Sequence, residues 1–252
     1  IIGRTWLHPA FTIGSVNYAD LWNQRRPLIA YWGNPAHVSA FRVRCLHDGY
    51  DYSSATFFSV QDKGDVLAAI NFATDRGDTH VSLDRVKNAT IRARDFRLRF
   101  SIEGAPETLT LPSRFQIGEV CRLDLGSVTL ELCIPYAAFG DFPITSETGR
   151  DRESAWLDII FYHGEERDIS FKSSQEAVVS FGIRMRPAFA GESSQPMKAS
   201  SLIAERRDGN LATVWKKDEG LPLALEVSIV PEKHRALRSA ARARIGDTNA
   251  WE

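Results

Sequence analysis

Four stretches of this chain set arginine against an apolar residue at every second position: Phe41-Arg42-Val43-Arg44-Cys45, Ile91-Arg92-Ala93-Arg94, Phe96-Arg97-Leu98-Arg99-Phe100 and Ile183-Arg184-Met185-Arg186. A period of two separates side chains onto opposite faces only in an extended strand, so each stretch is expected to have one wet and one buried side. Further runs rich in β-branched and aromatic residues lie at 28–32, 55–60, 66–72, 128–134, 156–162, 169–172, 178–181, 211–215 and 223–229. Turn signals stand between them, among them Gly33-Asn34-Pro35, Asp48-Gly49, Asp62-Lys63-Gly64-Asp65, His163-Gly164 and Asp208-Gly209-Asn210. Many short strands with short polar turns and little helix favour an all-β antiparallel sandwich over a parallel sheet with crossover helices.

The remaining organisation follows from what lies between the strands. The best helical stretch is 233–245, after Pro231, at the head of a tail over 233–252, and the polar segments 146–154 and 187–198 are expected to be flexible loops. No repeat of fixed period is present, and one sandwich domain over 1–252 is expected, since either half alone would expose a large sheet face. The chain opens Ile1-Ile2-Gly3-Arg4 without an initiator methionine, which leads us to expect a fragment or processed product of a longer protein.

Composition excludes several classes. With 43% hydrophobic and 25% charged residues the chain is globular and not disordered. Its 31 basic and 32 acidic residues give a net charge of −1, too balanced for a protein whose main task is to neutralise phosphates, so no nucleic-acid partner is expected. No apolar run approaches the roughly 20 residues that span a bilayer, so no membrane partner is expected. Cys45, Cys121 and Cys133 are widely spaced and sit in strand-like settings, which points to buried thiols and not to a disulfide framework or zinc knuckle.

Neither a phosphate-binding glycine loop, a G-x-S-x-G elbow nor an H-E-x-x-H motif is present. His80 and Asp84, or Asp75 and Asp78, could share a metal, but neither an H-x-H pair nor regular calcium-loop spacing accompanies them, so no metal or cofactor is expected. The segment Leu46-His47-Asp48-Gly49-Tyr50-Asp51-Tyr52 gathers an imidazole, carboxylates and phenols at the end of a strand. His47, Tyr50 and Asp51 are therefore the candidate acid–base residues. Asn88-Ala89-Thr90 matches a glycosylation acceptor, a match expected by chance.

For sugar binding, Trp22, Arg25 and Arg26 combine an indole that can stack on a pyranose with guanidinium forks for carboxylates or sulfates. Trp32, Arg42 and Arg44 are expected to join them, and Arg92, Arg94, Arg97 and Arg99 to extend the surface. The 24 arginines against 7 lysines have a plainer explanation in coding bias.

Arg4-Thr-Trp-Leu-His-Pro9, Phe11-Thr-Ile-Gly-Ser15 and Asp20-Leu-Trp-Asn-Gln24-Arg-Arg-Pro27 together resemble the β-sandwich region of heparinase II/III-like and alginate-lyase-like polysaccharide lyases, over about residues 4–100. The resemblance implies a supersandwich-like fold in which the Phe11 stretch is a strand and the Trp-Asn-Gln segment leads to the next. It also implies a secreted or periplasmic setting. Such lyases cleave acidic polysaccharides by β-elimination, often with Tyr and His as base and acid, and most of their catalytic residues lie on an α-helical toroid. Some relatives hold a zinc and a histidine in the sandwich, but this chain has no second spaced histidine near His80 and no candidate toroid. The expectation is a carbohydrate-associated accessory sandwich, not catalytic alone, whose partners are an acidic polysaccharide and an α-helical domain of the same polypeptide. The rivals are a lyase or hydrolase in its own right and a purely structural or protein-interaction sandwich.

Overall fold

A computed structural model describes residues 2–17, 19–21, 26–75, 86–188 and 195–246. Three antiparallel sheets stack on one another. The front sheet has the order β1 (Ile2–His8), β2 (Phe11–Asn17), β4 (Leu28–Asn34), β5 (His37–His47), β9 (Thr90–Glu103), β13 (Ser154–Ser170) and β12 (Thr145–Arg150), with the short β6 (Tyr50–Asp51) paired to β5. The middle sheet runs β10 (Val120–Asp124), β11 (Val128–Phe139), β14 (Ala177–Pro187), β8 (Asp65–Phe72), β7 (Ala55–Asp62) and β3 (Ala19–Asp20). The rear sheet is β15 (Leu202–Arg207), β16 (Asn210–Trp215), β17 (Leu223–Ser228) and β18 (Arg242–Ile245). The expected all-β antiparallel sandwich is therefore present, as is the strand at Phe11–Asn17.

The strands β7 and β8 of the middle sheet are buried on both faces, which is why they read as nearly continuous apolar runs and not as alternations. Along β8, Val66, Ala68, Ile70 and Phe72 enter the core shared with the front sheet, while Leu67 and Ala69 enter the core shared with the rear sheet. Gly182 on β14 allows the rear sheet its close approach. A Cβ there would stand 2.9 Å from Leu202 Cδ2 and 3.5 Å from Trp215 Cε3.

At one end of β7 and β8 the rear sheet is tied down by buried charge. The side chain of Lys217 is fully buried, with Nζ 2.7 Å from Asp62 Oδ2 and 3.1 Å from Asp65 Oδ2. Asp65 also accepts from Arg184 Nε at 3.0 Å and pairs with Arg186 Nη2 at 2.8 Å. The Arg184 guanidinium stands 5.1 Å from the centre of the Trp215 ring. Buried ions persist only when paired in this way.

Several sequence expectations need correction. Segment 146–154 is not a loop: most of it forms edge strand β12. The side chains on one of its faces carry no apolar signal because they bond to a neighbouring segment: Ser146 to the Phe115 carbonyl, Thr148 Oγ1 to the Pro112 carbonyl at 3.1 Å, and the exposed Arg150, through Nη2, to the Pro106 carbonyl at 2.8 Å. His163-Gly164 is not a turn between strands but lies inside the long strand β13, next to shifts of register between Ile160 and Tyr162 and between His163 and Arg167. The helix after Pro231 covers only His234–Ala240, and Arg242–Ile245 forms β18 on the rear sheet. The segments 91–94 and 96–100 are one strand. In the 187–198 segment, Pro187 ends β14 and 195–198 carries no regular element, while 189–194 lies outside the described residues.

Cys45, Cys121 and Cys133 are free and buried. Burial pushes the Cys121 and Cys133 thiols up to about 11. Burial, with the Asp51 charge second, pushes Cys45 well above its ordinary value. A thiolate-selective reagent at pH 8 is therefore expected to modify none of them in the native chain and all of them in denaturant, as counted by mass spectrometry.

Candidate functional site

The outward face of the front sheet is where the alternating arginines arrive. Register pairs Arg44 with Arg99 and Arg42 with Ser101 across β5 and β9, and Arg99 with Asp158 and Ser101 with Trp156 across β9 and β13. The core-facing residues between them, Phe41, Val43, Cys45, Leu98 and Phe100, are buried. Period two thus delivers Arg42, Arg44, Arg97 and Arg99 to one surface, and Arg92 and Arg94 continue it at the far end of β9, where both are well exposed.

Each of these arginines already faces a carboxylate. Arg42 Nη2 lies 3.0 Å from Glu103 Oε2 and Arg44 Nε 2.9 Å from Asp51 Oδ1. Arg92 Nη2 lies 2.7 Å, and Arg94 Nε 3.8 Å, from Glu166. Arg99 forks onto the fully buried Asp158 at 2.9 and 2.7 Å, and Arg97 Nη1 reaches the same carboxylate at 2.8 Å. Arg97 also pairs with Asp95 and Glu147, and its bond to Asp95 above all raises its proton affinity beyond the ordinary value. The face is neutral, with Asp51, Asp95, Glu103, Glu147, Asp158 and Glu166 interleaved among the guanidiniums.

Two aromatic groups stand in this field. Trp156 lies against the backbone of Gly149 on β12, where an added Cβ would be 2.6 Å from the ring. The Arg99 guanidinium sits 4.4 Å from the ring centroid, so the indole supports the arginine. Tyr31 on β4 is 38% exposed, and Leu7 and Val38 on the same face are 71% and 60% exposed. Register places Thr12 between Leu7 and Tyr31, and Ala40 on the other side of Tyr31. The result is an open apolar platform next to the Arg42–Glu103 pair.

At the opposite end His163 stands across from Asp95, with Nδ1 2.9 Å from Asp95 Oδ2 and the ring largely exposed. Burial alone would raise the Asp95 carboxyl, but bonds from Arg97 and His163, with their charges, outweigh it and hold it below its ordinary value of 3.8. Asp62 behaves alike: burial is outweighed by Lys217 and the Leu221 N–H. Both depressed carboxyls provide stability that is complete above 3.8 and lost as the pH falls through their folded values. The urea midpoint is expected to hold from pH 7 to 5 and to fall below pH 4, less steeply in Asp95→Asn.

The hairpin picked out for acid–base chemistry is arranged differently. Asp48 and Gly49 make the turn at φ 49° and 80°, and Asp48 Oδ1 accepts from the Arg94 and Asp95 N–H groups at 2.9 and 2.8 Å. His47 is 3% exposed, donates from Nε2 to the Arg92 carbonyl at 2.9 Å and packs against Tyr52 and Phe96. Tyr50 is exposed, and Asp51 is engaged with Arg44 on the surface. His47 and Tyr50 are partners in the register of β5 and β6, the imidazole buried and the phenol exposed. Trp32 is a correction: at 5% exposure it faces the core, because residues 28, 30 and 32 of β4 point inward, and no sugar can reach it. Arg26 is exposed, while Trp22, Arg25, His80, Asp78 and Asp84 lie outside the described residues.

Sequence reasoning missed Tyr31, Trp156 and the His163–Asp95 pair. Tyr31 was legible as the polar-side neighbour in Ala30-Tyr31-Trp32. The His163–Asp95 pair depends on register between strands far apart in the chain. Among the described residues no group of three or more His, Cys, Asp or Glu side chains is placed to hold a metal ion. The chain matches no family model, no curated protein and no solved structure.

Proposed function

We propose that this chain is a carbohydrate-associated β-sandwich, the accessory part of a polysaccharide-lyase-like protein of the heparinase II/III or alginate-lyase kind, that holds an acidic polysaccharide on the outward face of its front sheet and is not catalytic alone. The observation that carries the reading is the open Tyr31 platform beside Arg42 and Arg44. The partners of these arginines can be exchanged: Glu103 and Asp51 are 37% and 40% exposed. Such exposed pairs contribute only about 0–1 kcal/mol, so a ligand carboxylate or sulfate can take over the guanidinium fork with little loss. Arg97 and Arg99, by contrast, are held on the buried Asp158. An α-helical domain of the same polypeptide would supply the cleft and the chemistry, in a secreted or periplasmic setting.

The test is affinity electrophoresis and calorimetry of this chain with alginate and heparin, with dextran as the neutral control. Retention by an acidic polysaccharide, without release of new reducing ends, is expected. Tyr31→Ala, and Arg42→Ala combined with Arg44→Ala, should each weaken binding by about tenfold, the loss of one stacking or forked contact. Binding to none of the acidic chains, or equal binding by the variants, contradicts the reading.

A further inference from the structure

Strand β1 is the outermost of the front sheet, and among the described residues no strand pairs with its free side. The register shows which of its groups face outward. Val16 on β2 donates its N–H away from β1, to the Pro27 carbonyl at 2.9 Å, while His8 and Phe11 close the turn between β1 and β2. Backbone groups alternate in direction along an antiparallel strand, so Arg4, Trp6 and His8 bond to β2, and Gly3, Thr5 and Leu7 hold their N–H and C=O groups outward. Gly3, Arg4, Thr5 and Leu7 are exposed, Leu7 at 71%.

Such an edge invites a further strand, and natural sheets blunt it with charge, proline, bulges or a short length. The other edges are blunted in that way. β15 carries Glu205, Arg206 and Arg207, β18 carries Arg242 and Arg244, β10 and β12 carry two charged residues each, and β3 has only two residues. β1 has seven residues, and its register with β2 runs without a bulge. Arg4 is its one full charge, and that side chain is drawn off to the Gln61 carbonyl, to which Nη1 donates at 2.6 Å.

We infer that β1 pairs antiparallel with β1 of a second copy of this chain, about a two-fold axis at Thr5 that joins the two front sheets into one. In this register the facing residues are complementary. Thr5 exchanges backbone bonds with the partner's Thr5, a cross-strand pair that the hydroxyls favour. Gly3 exchanges bonds with the partner's Leu7, whose exposed side chain finds room beside a residue that has none. Arg4 stands opposite the partner's Trp6 in a pair with the closer Cα spacing of about 4.5 Å, so a guanidinium meets a half-buried indole. The two-fold makes the last two contacts twice. A slide of two residues one way sets Arg4 against the partner's Arg4, like charge directly opposite like charge. A slide the other way carries Gly3 past the end of the partner's strand, so the register at Thr5 is the one the sequence selects.

Sedimentation velocity over a concentration series of this chain tests the pairing. A reversible dimer, half dissociated at about 10–100 μM, is expected of a contact at the small end of specific interfaces. Thr5→Pro removes an N–H that points outward and spares the bonds to β2, so it should weaken dimerisation at least tenfold with the thermal midpoint retained. Thr5→Lys sets two ammonium groups against each other across the axis and should do the same, which keeps the test decisive if the proline variant does not fold. Under mild oxidation Thr5→Cys should cross-link to its equivalent across about 5.5 Å between Cα atoms, whereas Leu7→Cys, roughly 14 Å from its own, should not. A chain that stays monomeric throughout, dimerisation of the Thr5→Pro and Thr5→Lys variants as tight as that of the wild type, or cross-linking of Leu7→Cys in preference to Thr5→Cys overturns the assignment. Tyr31→Ala leaves the dimer unchanged, which separates this outcome from that of polysaccharide binding.

Discussion

Asp65→Ala is expected to lower the thermal unfolding midpoint by about 10 °C. The carboxylate it removes faces Lys217, Arg184 and Arg186, of which Lys217 and Arg184 are buried. Removing one partner of a buried ion pair costs about 3–5 kcal/mol, because the remaining charge stays desolvated. For a chain of this size each kcal/mol corresponds to about 2–4 °C. Lys217→Met should cost less, since Asp65 keeps both arginines and the Met side chain fills the space of the lysine stem. Equal losses from the two variants, read by calorimetry, would show that packing and not charge holds this end of the rear sheet.

Phe72→Ala should be as damaging for a different reason. Phe72 closes the front core, with ring centres 5.1 Å from Phe96 and Phe161 of the front sheet and 5.5 Å from Phe139. Deleting a buried phenyl ring costs about 3–5 kcal/mol through lost transfer energy and the cavity left behind. Asp65 and Phe72 sit at opposite ends of β8. At about 3.4 Å per residue they are over 20 Å apart, so their effects should add. The sum, about 6–10 kcal/mol, rivals the whole stability of a typical domain, and the double variant is expected not to fold at 37 °C. A double variant no less stable than Phe72→Ala alone would mean that the two ends are not independent.

The strands best legible in the sequence were those with one wet and one buried face. In β5 and β9 the alternation of arginine with Phe, Val, Cys and Leu gave both the strand and the surface that carries the arginines. β12 carried no such signal, because Ser146, Thr148 and Arg150 meet backbone carbonyls and not an apolar core. β18, in Arg242–Ile245, was hidden by helix-forming alanines and arginines, and pairing with β17 overrides that local preference. The third layer was latent in β8, where an unbroken buried run implies neighbours on both sides. At the site, residue types were readable but availability was not. Trp32 and Tyr31 are neighbours with similar chemistry, and only the inward or outward phase of β4 decides which can meet a ligand. Likewise, no local pattern discloses that Arg99 is locked on Asp158, fifty-nine residues away, while the Asp51 partner of Arg44 is exposed enough to exchange.

Mass-spectrometric footprinting with an arginine-selective reagent, with and without a saturating acidic polysaccharide, tests the front-face assignment most directly. Labelling of Arg42 and Arg44 is predicted to fall severalfold when the polysaccharide is present, while Arg122 on the middle sheet and Arg242 on the rear sheet label as before. Protection confined to Arg122 or Arg242, or no protection anywhere, would contradict it.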